Sequence, residues 1–330
     1  VTTWVASSLI VLLTCLAWAA PRFARPTLPF GVQVAAARAD DPAIVRTRQR
    51  YSRWVVAVAL VAVVVCLAVD DLIVSGVIAN GLLVVHMALY GLAHQRIRTV
   101  KRREWWQAEH RYGVTTDTTF RTDPVRVPIL WLLPSVAVLV ASMLLGRWEI
   151  VVPIAVMTVL APICVRALVR ARPDLDAARP VASARKYRAY LEGTARLLLL
   201  GVAAVNLPVL LFTFPGWEVV ANVLLGAACL AIVVWTIRVG QAGHRLPSLP
   251  GEEDEDTGLT QRDDDRYWHL AGTVYVNRQD PAVLVHQRVG MVWTMNLGHP
   301  VTWVLLAALA VVAALAGFGV VDLPDRGNLR

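Results

Sequence analysis

The chain is poor in charge, in lysine and in cysteine. Charged residues make up 17% of its 330 positions, against about 25% in ordinary soluble domains. Only Lys101 and Lys186 among its 32 basic residues are lysines. Its four cysteines (Cys15, Cys66, Cys164 and Cys229) all fall inside apolar runs. They read as small reduced core hydrophobes, which speaks against a disulfide framework or a thiolate metal site. Also missing are a glycine-rich nucleotide loop, an H-E-x-x-H pair, a Cys-x-x-Cys pair and a nucleophile elbow. His269, His286 and His299 with Asp280 match no standard metal-ligand spacing. The sequence therefore nominates no catalytic residue, no cofactor and no metal ligand, and the expectation is a non-enzymatic protein.

Apolar residues are what the chain has in excess: 57% of positions, with a mean hydropathy of +0.55. They gather in eight runs, Trp4–Ala20, Trp54–Val69, Leu72–Leu92, Ile129–Leu145, Ile150–Leu168, Leu197–Phe214, Trp217–Ile237 and Val301–Val321. Each approaches the roughly 20 residues that cross a hydrocarbon core. Backbone groups in lipid must bond internally, so such runs are read as helices. The first run lacks an N-terminal positive charge and a clean cleavage site, and it is expected to be retained rather than removed as a secretory signal.

Charge gives the orientation. Basic residues number seven in 21–53, eight in 93–128, eight from Arg166 to Arg196 and six in 238–300. The intervening turns and the tail share the remaining three, Arg147, Arg326 and Arg330. Long basic loops on alternate crossings are the pattern of the positive-inside rule. The expectation is an all-α integral membrane protein of about eight spans, with both termini outside and four loops in the cytoplasm. Trp54, Trp148, Trp217, Trp235 and Trp303 near run ends fit an interfacial belt, and Trp4 would join it. The pI of about 9.8 is then a topology signal, and no nucleic-acid partner is expected. Thirty arginines against two lysines fit a bacterial gene of high GC content, and so a bacterial cell membrane.

Within that frame, residues 1–145 read as a first four-helix half, 146–237 as spans five to seven, and 301–330 as the last helix and tail. Asp41 and Pro42 offer an N-cap and first-turn proline, from which Arg46, Arg48, Arg50 and Arg53 run into the second span. Residues 95–111 are expected along the inner membrane surface, where each basic residue contributes roughly 1 kcal/mol against anionic lipid. Both fours share one layout of span, loop, hairpin pair, loop, span. Local text also recurs, as in Pro128-x-x-Trp131 and Pro300-x-x-Trp303. A parallel duplication is one reading of this, chance recurrence in an Ala- and Arg-rich chain the other.

The last loop differs from the rest. Residues 238–265 carry the acidic runs Glu252–Asp256 and Asp263–Asp265, which repel themselves and are expected to be a disordered linker. Next, in 266–300, Thr273–Asn277 and Ala282–Gln287 have strand composition around the turn signal Asp280-Pro281, which predicts a short β-hairpin. The run Tyr267-Trp268…Tyr275-Val-Asn277-Arg-Gln-Asp280-Pro281…Arg288-Val-Gly290-Met-Val-Trp293-Thr-Met-Asn296-Leu-Gly298-His-Pro300 resembles a module of bacterial multi-pass membrane proteins, the domain of unknown function 5808. Thr27–Val32 resembles the first-loop signature of the same proteins more weakly. Some members resemble the wider SdpI-type group, which includes peptide-toxin immunity proteins. The resemblance implies a membrane location and a recurring architecture, and it implies no reaction.

Two functions are open. One is a sensing, regulatory or immunity-like component whose cytoplasmic module contacts a protein partner, through Tyr275, Asn277, Asp280, Pro281, Arg288, Gly290, Trp293 and Asn296. The same residues would equally serve to dock the module onto the membrane part. The other is a small-molecule permease with an intramembrane polar site at Asn80, His86, Tyr90 and Asn206, among spans 3 and 6 and their proline-interrupted neighbours, with interhelical hydrogen bonding as the plainer role of the asparagines and of His86. Either way the bilayer, with anionic lipid at its cytoplasmic face, is the first partner.

Overall fold

A computed structural model describes residues 2–69, 71–106, 112–113, 119–173, 175–252 and 254–317. The expected end of the last span at Val321, the tail beyond it and Asp70 lie outside these residues, as does the side chain of Trp4. Nine helices are described: α1 (Thr2–Phe23), α2 (Pro42–Val69), α3 (Leu72–Arg103), the four-residue α4 (Thr119–Thr122), α5 (Leu133–Leu144), α6 (Trp148–Val169), α7 (Pro180–Leu211), α8 (Glu218–Val239) and α9 (Pro300–Gly317). By length and composition α2, α3, α6, α7 and α8 are able to cross a membrane, while the apolar parts of α1, α5 and α9 are shorter.

Local chemistry sets the helix ends. Asp41 accepts from the Ala43 amide at 2.8 Å, and Pro42 takes the first turn of α2, where its missing N–H is no loss. Asp71 caps α3 by accepting from the Val74 amide at 2.9 Å. From there α3 runs 32 residues to Arg103. Residues 95–103 are thus its straight continuation rather than a separate helix along the surface, because no proline or glycine after Gly91 breaks the ladder. Lys101, Arg102 and Arg103 in the last turn suit the negative end of the helix dipole. Prolines interrupt less than the sequence suggests. Pro134 sits in the first turn of α5, after a 3-10 turn at Ile129–Leu132. Helix α6 continues through Pro153 and Pro162, and Pro208 falls in the last turn of α7.

Helices α1, α2 and α3 pack on one another, and α5, α6 and α8 pack around α7. This grouping differs from two fours, because α5 joins the helices that follow it. The largest buried side chains gather at the Arg-rich end of each group. Phe30, Ile44, Tyr51, Tyr90 and Ile97 form one core, and Leu175, Tyr187, Tyr190, Leu191 and Leu199 another. Away from that end, apolar side chains face outward. Leu60 is 62% exposed, Val77 66% and Leu230 63%. Apolar surface on this scale is stable in lipid and a liability in water.

Among the described residues there are also six short strands: β1 (Tyr112–Gly113), β2 (Thr260–Gln261), β3 (Trp268–His269), β4 (Val274–Tyr275), β5 (Leu284–His286) and β6 (Trp293–Met295). The expected small β region before the last helix is there, but the expected hairpin across Asp280-Pro281 does not form. Instead β4 pairs antiparallel with β3, and β5 pairs antiparallel with β6. The reason lies in Asp280, whose carboxylate turns inward to bond Tyr275 and Arg172 instead of leaving a solvent-exposed turn. The two small sheets are joined through a bridge between Tyr275 and Asn296.

Candidate functional site

The predicted module residues do converge, and they converge inward. Asn296 is fully buried. Its carboxamide oxygen accepts from the amides of Asn277 (2.9 Å) and Gly298 (3.0 Å). Its amide donates to the carbonyls of Asn277, Asp280 and Ala282 at 2.8–3.2 Å. One side chain thereby satisfies five backbone groups that no ladder serves, which is why the irregular stretch 277–282 holds its shape. Tyr275 is buried, donates to Asp280 at 2.9 Å and accepts from Asn277 at 3.1 Å. Burial comes first among the causes that raise its phenol. Asp280 also pairs with Arg172, in the loop between α6 and α7, so the module is tied to the second helix group there.

Arg288 ties it to the first group. The guanidinium is 4% exposed, donates to the Gly31 carbonyl at 2.9 Å and pairs with both Asp264 and Asp265. Lys101, 5% exposed at the end of α3, reaches Asp263 at 2.9 Å and Asp265 at 2.6 Å. Burial would raise the Asp265 carboxyl, but the charges of Arg288 and Lys101 outweigh it and hold it at about 2. Behind the ion cluster, two glycine turns meet. A Cβ on Gly31, whose φ is +77°, would lie 2.5 Å from the Ala271 carbonyl oxygen. Only glycine fits that approach.

Trp293 stacks on Tyr190 of α7 (centroids 5.8 Å, planes 21° apart) and meets His286 edge-on at 5.2 Å. Gly290, with φ at +75°, turns the chain between β5 and β6. Pro281 alone among the eight predicted module residues is exposed.

Sequence reasoning missed the opposite side of these contacts. The stretch expected to stay disordered supplies Asp263, Asp264 and Asp265 to the ion cluster. It also supplies Glu252 to Arg185 at 2.5 Å, and Glu255 to the Val181 and Ala182 amides at the start of α7. The acidic run is held because buried or half-buried cations face it, which offsets its self-repulsion. The signal was available in the equal wealth of Arg in the neighbouring loops, though not its pairing. Glu253 lies outside the described residues.

The four predicted intramembrane residues do not assemble into one site. Asn206 on α7 donates to Ser135 of α5 at 2.8 Å and to Thr158 of α6 at 3.2 Å, all three buried in the second helix group. Asn80 is exposed and bonds the Gly76 carbonyl of its own helix at 2.8 Å. His86 and Tyr90 lie in the first group, both buried. Neither ring nitrogen of His86 nor the Tyr90 hydroxyl completes a hydrogen bond among the described residues. Also among them, no group of three or more His, Cys, Asp or Glu is placed to hold a metal.

No curated protein and no solved structure matches the chain. A family model does match, over residues 278–303, which is the stretch from the loop after β4 through β5 and β6 into the first turn of α9. The module that carries Asp280, Arg288, Trp293 and Asn296 is therefore similar to the family of unknown function DUF5808.

Proposed function

We propose that the chain is a non-enzymatic, multi-pass protein of a bacterial plasma membrane, a regulatory, sensing or immunity-like component. Its cytoplasmic module holds two helix groups in register and offers its outer rim to a protein partner. The observation that carries this reading is Arg288, a buried cation in a short module that bonds the loop after α1 while Asp280 of the same module bonds the loop before α7. In this reading eight helices span the bilayer. Both termini face outside, and the four Arg-rich loops lie in the cytoplasm against anionic lipid. The buried residues first read as partner contacts act as the frame. The contact surface is the exposed rim around Leu270 and Val292, which are 76% and 54% exposed.

The test is affinity purification from native membranes of the wild-type chain and of the Leu270→Asp/Val292→Asp variant, with equal melting temperatures as the check on folding. A protein that copurifies with the first, rebinds in pure form and is lost from the second supports the reading. Equal recovery with both variants removes the rim from it.

A permease remains the second reading, favoured by the unbonded His86 and Tyr90 in the first helix group. It requires water access there, so a cysteine at His86 or Tyr90 that stays unlabelled from both sides of the membrane ends it.

A further inference from the structure

Helix α2 presents two faces of opposite character. Ile44, Tyr51, Val55, Ala62 and Cys66 recur at helical spacing and are buried on the side of α1 and α3. The other face is exposed. There Arg46, Gln49, Arg50, Arg53, Trp54 and Ala57 line an open groove of about 540 Å³.

The positive charge of this groove is unopposed. Helix α2 contains no Asp or Glu, and no carboxylate lines the groove. Arg46 bonds only the Pro42 carbonyl, a neutral partner, through Nε at 3.1 Å. Arg50 and Arg53 take part in no ion pair among the described residues. Asp40 and Asp41 lie ahead of the helix, and Asp41 is taken by the Ala43 amide at 2.8 Å and by Arg38 at 3.6 Å. Arg46, Arg50 and Arg53 follow one another at four and three positions, the spacing at which like charges on a helix repel. A bound anion turns that arrangement from a cost into an attraction.

The same stripe changes character further along α2. Arg46 to Arg53 covers about 10 Å of helix axis at roughly 1.5 Å per residue, comparable to one polar layer of a bilayer, about 5–8 Å deep. Trp54, 52% exposed, follows at the level where amphipathic rings settle between headgroups and acyl chains. Ala57 leaves room beside it, and Leu60, Val61 and Val64 continue the stripe at 62–64% exposure. A soluble anion would use the arginines and nothing below them, whereas a phospholipid uses both halves.

We propose that this stripe is a site for an anionic phospholipid. Its phosphate is held by Arg46, Arg50 and Arg53 with Gln49 as a neutral donor, its glycerol esters lie beside Trp54, and an acyl chain follows Ala57, Leu60 and Val61. Guanidinium forks match phosphate oxygens in pairs. Cations fixed on one rigid helix above an apolar track select a molecule, which the general attraction of basic loops to acidic lipid does not do. The proposal rests on the reading above only in that α2 crosses the bilayer. It needs neither a partner at the module rim nor a given side of the membrane.

The full chain, released in mild detergent, is incubated in mixed micelles with equal amounts of phosphatidylglycerol and phosphatidylcholine, and native mass spectrometry counts the lipids it keeps. Arg46→Gln/Arg50→Gln/Arg53→Gln is compared with Arg96→Gln/Arg170→Gln/Arg278→Gln, which removes the same charge at exposed positions elsewhere. Equal melting temperatures check folding. Ala57→Phe, which narrows the groove and keeps every charge, stands in for the stripe variant if that variant does not fold.

Retention of phosphatidylglycerol over phosphatidylcholine by at least about tenfold in the wild type and the control, lost in the stripe variant, supports the site. Absence of that preference, its survival in the stripe variant, or its equal loss in the control overturns it. Micelles have no sides, so an error in the orientation of the chain shows in cysteine labelling and leaves this count unchanged.

Discussion

Arg288 is the residue on which most of the module's attachment depends. A cation that is 4% exposed and paired with two carboxylates costs little while its partners stay. Removing it leaves the half-exposed Asp264 without its cation and Asp265 with Lys101 alone, and losing one partner of a buried pair costs up to about 3–5 kcal/mol. Arg288→Ala is therefore expected to free residues 264–288 to exchange amide hydrogens at least a hundredfold faster, with the helices of both groups unaffected. Lys at this position would keep the charge and lose the fork that spans Asp264, Asp265 and the Gly31 carbonyl, so it should rescue only in part.

Acid should act on the same cluster. The Asp265 carboxyl is held at about 2, below its ordinary 3.8. A depressed carboxyl adds stability above its unfolded value and loses it as pH falls through the folded one. Module attachment should be flat in pH above about 4 and weaken between about 4 and 2, and Asp265→Asn should be weaker at neutral pH with that step removed. Hydrogen exchange against pH measures both. Asp265 and Arg288 were each visible in the sequence, one as part of a repelling acidic run and one as a module residue. Their pairing was not, since 23 positions separate them along the chain.

At the scale of elements, the second helix group is held by a polar contact that an apolar core does not need. Asn206, Ser135 and Thr158 join α7, α5 and α6 at one level. Interhelical hydrogen bonds of this kind are worth about 0.6 kcal/mol and at most about 1.7. Asn206→Leu should lower stability by about that much in detergent and leave the fold intact, as a denaturant titration would show. The sequence marks the asparagine as a polar residue within an apolar run. Its role as a joint depended on which helices stand beside α7, which periodicity does not encode.

Close approach elsewhere is less forgiving. Gly193 of α7 lies under the Trp235 indole of α8, and a Cβ there would fall 1.9 Å from the ring. Gly193→Ala must push the indole aside, so α8, which packs mainly on α7, should loosen. A fall in melting temperature that Trp235→Leu relieves is the expected signature. The two strand pairs of the module teach the same lesson. Strand composition marked residues 273–277 and 282–287 as extended, and they are partly so. The partner of each was decided by Asn296 and Asp280, which fill the gap where a turn was expected.

For the whole molecule, the proposed topology makes a prediction of its own. Single cysteines at Gln279 and at Glu218, on a background without the four native cysteines, should label from opposite sides of the membrane, Gln279 only after the cytoplasmic face is opened. Labelling of both from one side would contradict the alternation of basic loops.

The sequence by itself determined that the chain is largely helical and made for lipid. Length and hydropathy are sums over neighbouring residues, and they need no knowledge of packing. It also marked the start of α2, because a cap is a contact over three or four positions, and it singled out the module that a family model matches. Tertiary structure alone decided how the helices group, that the acidic stretch is pinned rather than loose, and that the module faces inward. Each of these turns on ion pairs and hydrogen bonds between residues tens to hundreds of positions apart, such as Arg288 with Gly31 and Arg172 with Asp280. Charge and composition show that such partners exist, and only the fold selects which of them meet.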